Sequence, residues 1–184
     1  MDTVVEPGRL LVAAPNLMDP NFVRGVVLVV EHGPDGTVGV VLNHPTDADA
    51  REPLPAWAGL VGDPELVFIG GPVQREVAVG MARAEGEVGH PSWMPVTNSV
   101  GLLDLSLDPE KYGPVAEVRI FSGYAGWGSG QLDAELDEPA WFVVDGRESD
   151  PFTRQPEELW RQVLRRQEGE LALYSTYPLD PSDN

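Results

Sequence analysis

The residues with the most chemical promise lie in one stretch, Arg119 to Leu132, which reads R-I-F-S-G-Y-A-G-W-G-S-G-Q-L. Gly123, Gly126, Gly128 and Gly130 surround Tyr124 and Trp127, and Gln131 follows. Glycine accepts positive φ and lets a ligand or a second backbone approach closely. Between an apolar run ending at Phe121 and a helix-like segment, the stretch predicts a strained turn. Such a turn presents backbone N–H groups at a helix start, where anions bind. One reading is a surface of backbone amides, Tyr124, Trp127 and the Gln131 amide that holds a ligand or partner. The other is a tight corner whose two aromatics plug the core. No Gly-Lys-Ser/Thr follows, so this is not a P-loop, and Gly123-x-x-Gly126-x-Gly128 reverses the spacings of the dinucleotide fingerprint. Asp133 and Glu135 suit the dipole of the following helix but repel a phosphate.

Other constellations carry less. Ser129 follows a strand and precedes a helix, but Trp127 and Gln131 stand where a nucleophile elbow needs glycine. It reads as a turn residue. If Gly33-Pro34-Asp35-Gly36 closes a hairpin, His32 pairs near Thr37 and His44 lies opposite Gly25. The two histidines are then roughly 24 Å apart, too far to share a metal. His90 sits in a loop. Asp19, Glu31, Asp104 and Asp145 lie near strand ends, in a chain so acidic that pairs of carboxylates carry little information. No catalytic residue, metal site or cofactor follows from these residues.

The chain has 184 residues, no cysteine, 30 acidic and 12 basic side chains, and a formal net charge of −18. A single domain of this length buries about 70% of its unfolded-chain surface. Eleven of the bases are arginine. Phosphate backbones and anionic membranes call for clustered Lys and Arg, so direct nucleic-acid or membrane binding is not expected. Arg154, Arg161, Arg165 and Arg166 nevertheless share one C-terminal segment, a local basic patch. Without cysteine there are no disulfides, thiolate nucleophiles or cysteine-zinc sites. The N-terminus lacks a basic region and a long apolar core, so no signal peptide is expected, and no apolar run reaches the ~20 residues of a membrane span. A cytoplasmic protein is the expectation.

The elements that must position these residues read as follows. Arg9–Ala14 is a buried strand. Val26–His32 and Thr37–Asn43 form a hairpin across Gly33–Gly36. Residues 45–65, rich in proline and acid, read as a surface excursion with a short helix near Trp57–Val61. Leu66–Ile69 is a strand ending in Gly70-Gly71-Pro72, and Val73–Ala82 another. Residues 84–95 are loop. Val100–Leu105 and Val115–Phe121 are strands, with a short helix between them in Ser106–Gly113. Gln131–Leu136 is a helix and Trp141–Asp145 a strand. A helix starts at Pro156, its apolar stripe made by Leu159, Trp160, Val163 and Leu164. Residues 178–184 read as a disordered tail. Strands outnumber helices and arrive partly as hairpins. The predicted fold is therefore α+β, one domain over residues 1–184 with an ordered core at about 8–170. Its sheet is largely antiparallel, mixed or barrel-like, with a few helices packed on it.

Several segments together resemble one family, the YqgE/AlgH proteins of bacteria. They are Gly8–Pro15, Asp19-Pro20-Asn21-Phe22, Glu31-His32, Gly39–Pro45, Gly70-Gly71-Pro72-Val73 and the whole of Arg119–Leu132. The resemblance spans roughly residues 8–170 and implies a compact α+β domain, with a transcriptional-regulator label on some members and no agreed activity. The chain departs from the family at Ser129, where proline is common, and at His44, where a basic residue is.

Three functions compete. The first is a non-enzymatic domain that binds a protein partner or small ligand at a corner of Asn43, Gly70, Gly71, Pro72, Arg119, Tyr124, Trp127 and Gln131, because sites gather on loops at strand ends. The second is a hydrolase or transferase at the same corner, with Asp19, Glu31, His32 and Arg119 as acids and bases. The third is direct DNA-binding regulation, which the charge opposes.

Overall fold

Runs of Val and Leu separated by glycine and proline turns become ten strands of one sheet in the computed structural model, which describes residues 4–178. In chain order these are β1 (Leu10–Ala13), β2 (Val26–Gly33), β3 (Gly36–Val41), β4 (Pro45–Asp49), β5 (Leu66–Ile69), β6 (Val73–Ala84), β7 (Met94–Pro95), β8 (Val100–Leu103), β9 (Val115–Gly128) and β10 (Trp141–Val144). The helices are α1 (Gln131–Asp137), α2 (Leu159–Arg165) and α3 (Glu170–Tyr174). The main path through the sheet is β10-β1-β2-β3-β9-β6-β8-β7, with antiparallel neighbours throughout. The exception lies off that path, where β5 pairs with β9 in parallel. The α+β class and the largely antiparallel, mixed sheet predicted from the sequence are what the chain adopts.

Strand β9 organises the rest. Its first part pairs with β6, its middle with β5 and its last four residues with β3. The β6 register slips at Gly123, φ 72°, where the run Val73–Ala78 of β6 faces only Ser122–Tyr124 of β9, so the extra residues bulge from β6. The left-handed Gly123 shifts the alternation of side chains along β9. Phe121 lies in the core that α2 covers, and Ala125 and Trp127 lie in a second core on the opposite face. Gly126 pairs with Val38, whose side chain packs on the first core, so Tyr124, Gly126 and Gly128 line that first face. A third core forms behind β6 and β9 around Trp57, Tyr112 and Ile120.

Four local readings change. The glycine stretch is not a turn: β9 runs through it to Gly128, because the edge of β3 supplies partners for Ala125–Gly128. The turn shrinks to Ser129 and Gly130. Residues 45–65 are a surface excursion only in part: β4 is largely exposed and a 3-10 helix stands at Pro55–Leu60, but β4 pairs with β5 and Trp57 is 1% exposed. The Trp57 indole N–H donates to the carbonyls of Leu105 and Leu107 at 3.0 and 3.1 Å. The short helix predicted between Ser106 and Gly113 is a single 3-10 turn at Pro109–Lys111. The helix predicted from Pro156 opens as a 3-10 turn and becomes α2 only at Leu159. The tail reading at 179–184 lies outside the described residues.

Candidate functional site

The eight residues of the predicted corner fall into three groups. Asn43, Arg119 and Trp127 are turned inward and are 8%, 2% and 5% exposed. Asn43 braces the backbone: its Oδ1 accepts the Val26 N–H at 2.9 Å, and its Nδ2 donates to the Arg24 carbonyl at 2.8 Å. Arg119 lies with its guanidinium 4.5 Å over the Phe68 ring and donates to the carbonyls of Thr153 (2.8 Å), Pro151 (3.3 Å) and Asp63 (2.7 Å). Burial lowers the Arg119 pKa to about 10, although Glu117 opposes the shift. Trp127 stacks on Phe22 and meets Trp141 edge-on, and its indole N–H shares the Glu135 carboxylate with that of Trp141 at 2.8 and 2.9 Å.

Gly70, Gly71 and Pro72 form the second group. The Gly70 N–H donates to the Ser122 carbonyl at 2.9 Å, and its own carbonyl accepts from Val41 at 2.8 Å. The pair therefore threads between β3 and β9, where no side chain fits: a Cβ on Gly70 would meet the Gly123 carbonyl oxygen, and one on Gly71 the Tyr124 carbonyl. Pro72 is exposed beyond the crossing. These glycines let two backbones touch.

Tyr124 and Gln131 form the third group, and they reach the surface. Gln131 folds back on its own corner: its Oε1 accepts the Gly128 N–H at 3.0 Å and its Nε2 donates to Glu135 at 3.2 Å. The amide that the sequence offered to an anion is thus already taken. Tyr124 stands with Val73 on one wall of an open trough of ≈ 600 Å³. The opposite wall is the β2–β3 hairpin with Glu31, His32, Pro34 and Asp35, and the floor is Gly36, Gly126 and Gly128. A Cβ on Gly126 would meet only the Val73 side chain at 3.9 Å, and one on Gly128 only Gln131 at 3.9 Å. The floor is low because it has no side chains. β6 pairs with β9 only as far as Tyr124, so among the described strands Ala125–Gly128 has β3 on one side and an open edge on the other. The Gly128 N–H goes to Gln131 and so is not bonded to β3, and by strand alternation the Gly126 backbone turns the same way.

Sequence reasoning missed Asp35, Val38 and Val73. Asp35 carried only a turn signal, Val38 only a strand signal and Val73 a place in the Gly70–Val73 motif, and the bulge that brings Val73 beside Tyr124 is a tertiary event. The acids and bases of the enzyme reading do not converge. Asp19 accepts the Asn21 N–H in a loop, Glu31 and His32 lie at the far end of β2, and Arg119 is buried under Pro151–Thr153. His32 places its Nδ1 2.7 Å from the Thr37 hydroxyl. No group of three or more His, Cys, Asp and Glu side chains among the described residues has the geometry to hold a metal. The four arginines of the C-terminal segment separate: Arg154 and Arg166 face a cleft, Arg161 donates to the Tyr177 carbonyl at 2.8 Å, and Arg165 is exposed.

His44 sits just past β3 with its Nε2 3.3 Å from the Val23 carbonyl, and burial pulls its pKa below the ordinary 6.5. The sign follows from linkage. The unfolded chain protonates His44 more readily than the folded one, so its contribution is intact above the unfolded pKa and is lost as pH falls through the folded value. Urea midpoints between about pH 7.5 and about pH 5.5 are expected to fall more for the wild type than for His44→Gln. Equal slopes would show that His44 titrates alike in both states.

With this geometry in view, the chain compares closely with known proteins. It matches the AlgH-like family DUF179 over residues 10–172. A UPF0301 protein of Streptomyces coelicolor is 52% identical over 182 residues, covering 96% of this chain and 94% of the relative. One from Mycobacteroides abscessus is 41% identical, covering 96% of this chain and 87% of the relative. The crystal structure of a Corynebacterium diphtheriae protein superposes with a TM-score of 0.89 at 32% identity, covering 96% of this chain and 95% of the other. The solution structure of the AlgH protein from Pseudomonas aeruginosa, also UPF0301, gives a TM-score of 0.70 at 26% identity with 97% of each chain covered. On this evidence of sequence and fold, the chain belongs to the AlgH-like family of UPF0301 proteins.

Proposed function

We propose that the protein is a non-enzymatic binding domain of the cytoplasm whose trough receives an extended, basic segment of a protein partner. One observation carries the reading: the sheet ends in a floor of glycine backbone beside an open strand edge, with a tyrosine wall and a carboxylate wall. An extended peptide laid there pairs with backbone at the β9 edge, sets alternate side chains against Tyr124 and Val73, and turns Lys or Arg toward Glu31 and Asp35. The net charge of −18 favours the same partner by long-range steering. Among the described residues no helix is long and apolar enough to cross a membrane. If the family's transcriptional label reflects its biology, this chemistry fits action through a protein partner better than contact with DNA.

The test is an arrayed library of short peptides probed with wild type, Gly126→Val and Tyr124→Ala. Gly126→Val raises the trough floor where there is open space, and Tyr124→Ala removes one wall. Selected peptides are expected to alternate apolar residues with Lys or Arg and to lose about tenfold or more in affinity for both variants. A library that yields no binder, or binders indifferent to both substitutions, would overturn the reading.

A further inference from the structure

A second cleft, of ≈ 720 Å³, opens on the far side of the molecule's longest strand pairing, between β6 and β9 and the segment that leads into α2. Arg83, Arg147, Arg154 and Arg166 line it, in a chain with twelve bases and thirty acids. Arg83 and Glu117 are cross-strand partners on β6 and β9. Arg119, two residues along β9 from Glu117, lies beneath, its guanidinium over the Phe68 ring and hydrogen-bonded to carbonyls. Five guanidinium groups therefore gather around three carboxylates, Glu117, Glu148 and Asp150. This inverts the balance of the whole protein.

Those carboxylates do not use up the positive charge. Asp150, 4% exposed, forms a two-pronged pair with Arg166 at 2.9 and 2.6 Å and also accepts the Arg147 backbone N–H at 2.7 Å. Glu117, 7% exposed, is shared between Arg154 at 2.7 Å and Arg83 at 3.7 Å. Glu148 accepts the hydroxyls of Thr97 and Ser99. Arg154 engages Glu117 and the Asp63 carbonyl through Nη1 alone, its side chain 56% exposed. The Arg147 side chain makes no hydrogen bond or ion pair with the described residues. Two guanidinium groups thus face one concave space with donors to spare. A guanidinium fork matches the oxygen spacing of phosphate and carboxylate groups.

We propose that this cleft binds a small multivalent oxyanion, a compact molecule carrying phosphoryl or carboxylate groups, with Arg147 and Arg154 as its principal ligands. The cleft volume is that of a small-molecule site. Gln155, Gln162 and Ser149 line the same space and supply neutral donors for the body of the ligand. A nucleic acid is the poorer fit, because its extended charge would meet the acidic surface around a single concave patch. Glu117 acts as an internal counterion: the incoming oxyanion competes with it for Arg154 and Arg83. This site is separate from the trough and does not depend on it.

The experiment is isothermal titration calorimetry at fixed ionic strength, with inorganic pyrophosphate and citrate as probes. Saturable binding of either is expected, and the tighter of the two identifies the oxyanion as phosphoryl or carboxylate. The double variant Arg147→Gln/Arg154→Gln changes two exposed side chains, and is expected to weaken that binding about tenfold or more. Glu117→Gln should strengthen it, by removing the competing charge. Arg165→Gln, an exposed arginine outside the cleft, should leave it unchanged. Absence of saturable binding, equal affinity in the double variant, or tighter binding of a short oligonucleotide than of either probe would overturn the proposal.

Discussion

Trp127→Ala is expected to destabilise the fold by about 3–5 kcal/mol, the range for emptying a buried tryptophan site. The ring fills the space between β9 and α1, stacked on Phe22 with centroids 6.0 Å apart and edge-on to Trp141 at 5.7 Å. Its removal leaves a cavity beside Leu132 and Phe22 in the second core. It also takes away one of the two indole donors that hold Glu135 over the corner. Urea unfolding followed by circular dichroism measures the loss. A midpoint unchanged from wild type would show that the indole is a surface group. The result also governs how binding data are read: a Trp127 variant reports stability, whereas Tyr124 and Gly126 are the positions that alter the trough without opening the core.

The second large effect separates glycines that look equivalent in the sequence. Gly70→Ala and Gly71→Ala are each expected to cost more than about 4 kcal/mol, enough to leave little folded protein. A methyl group at either position falls on the backbone of Gly123 or Tyr124, where the chain leaving β5 threads between β3 and β9. Backbone on both sides leaves nothing flexible to yield. Gly126→Ala and Gly128→Ala, whose Cβ atoms would meet nothing closer than 3.9 Å, are expected to change stability by less than about 1 kcal/mol. Parallel urea titrations of the four variants decide the matter. Similar midpoints for Gly71→Ala and Gly126→Ala would mean that the Gly70-Gly71 backbone does not thread between β3 and β9 as described.

The corner thus has a structural half and a surface half. The indole of Trp127, the Arg119 guanidinium and the Gly70-Gly71 crossing fix how β9 bends from one core to the next. Tyr124, Gly126, Gly128 and the hairpin remain free to meet another molecule. That division is why the proposed partner site is a trough of backbone, and why the arginine cleft at the other end of β9 is a separate site.

What the sequence determined by itself was local or periodic. The β2–β3 hairpin followed from two β-branched runs around Gly33–Gly36, the apolar face of α2 from Leu159, Trp160, Val163 and Leu164, and the family from an ordered series of motifs. Charge and composition argued against direct binding to nucleic acid or anionic membrane. The tertiary structure alone decided which face each residue takes. The glycines of Arg119–Leu132 announced permissiveness, not its use. Extension to Gly128 depended on the edge of β3, some ninety residues away in the chain. Arg119 looked like a candidate acid or base, yet carbonyls 32 to 56 residues distant bury it and take its donors. Trp57, in a proline-rich stretch that read as surface, became core because β6, β8 and β9 close over it. Arg83 and Arg147 carry no shared signal in one dimension and line one cleft in three. Burial and charge convergence are sums over contacts distant in sequence, and no local pattern contains those sums.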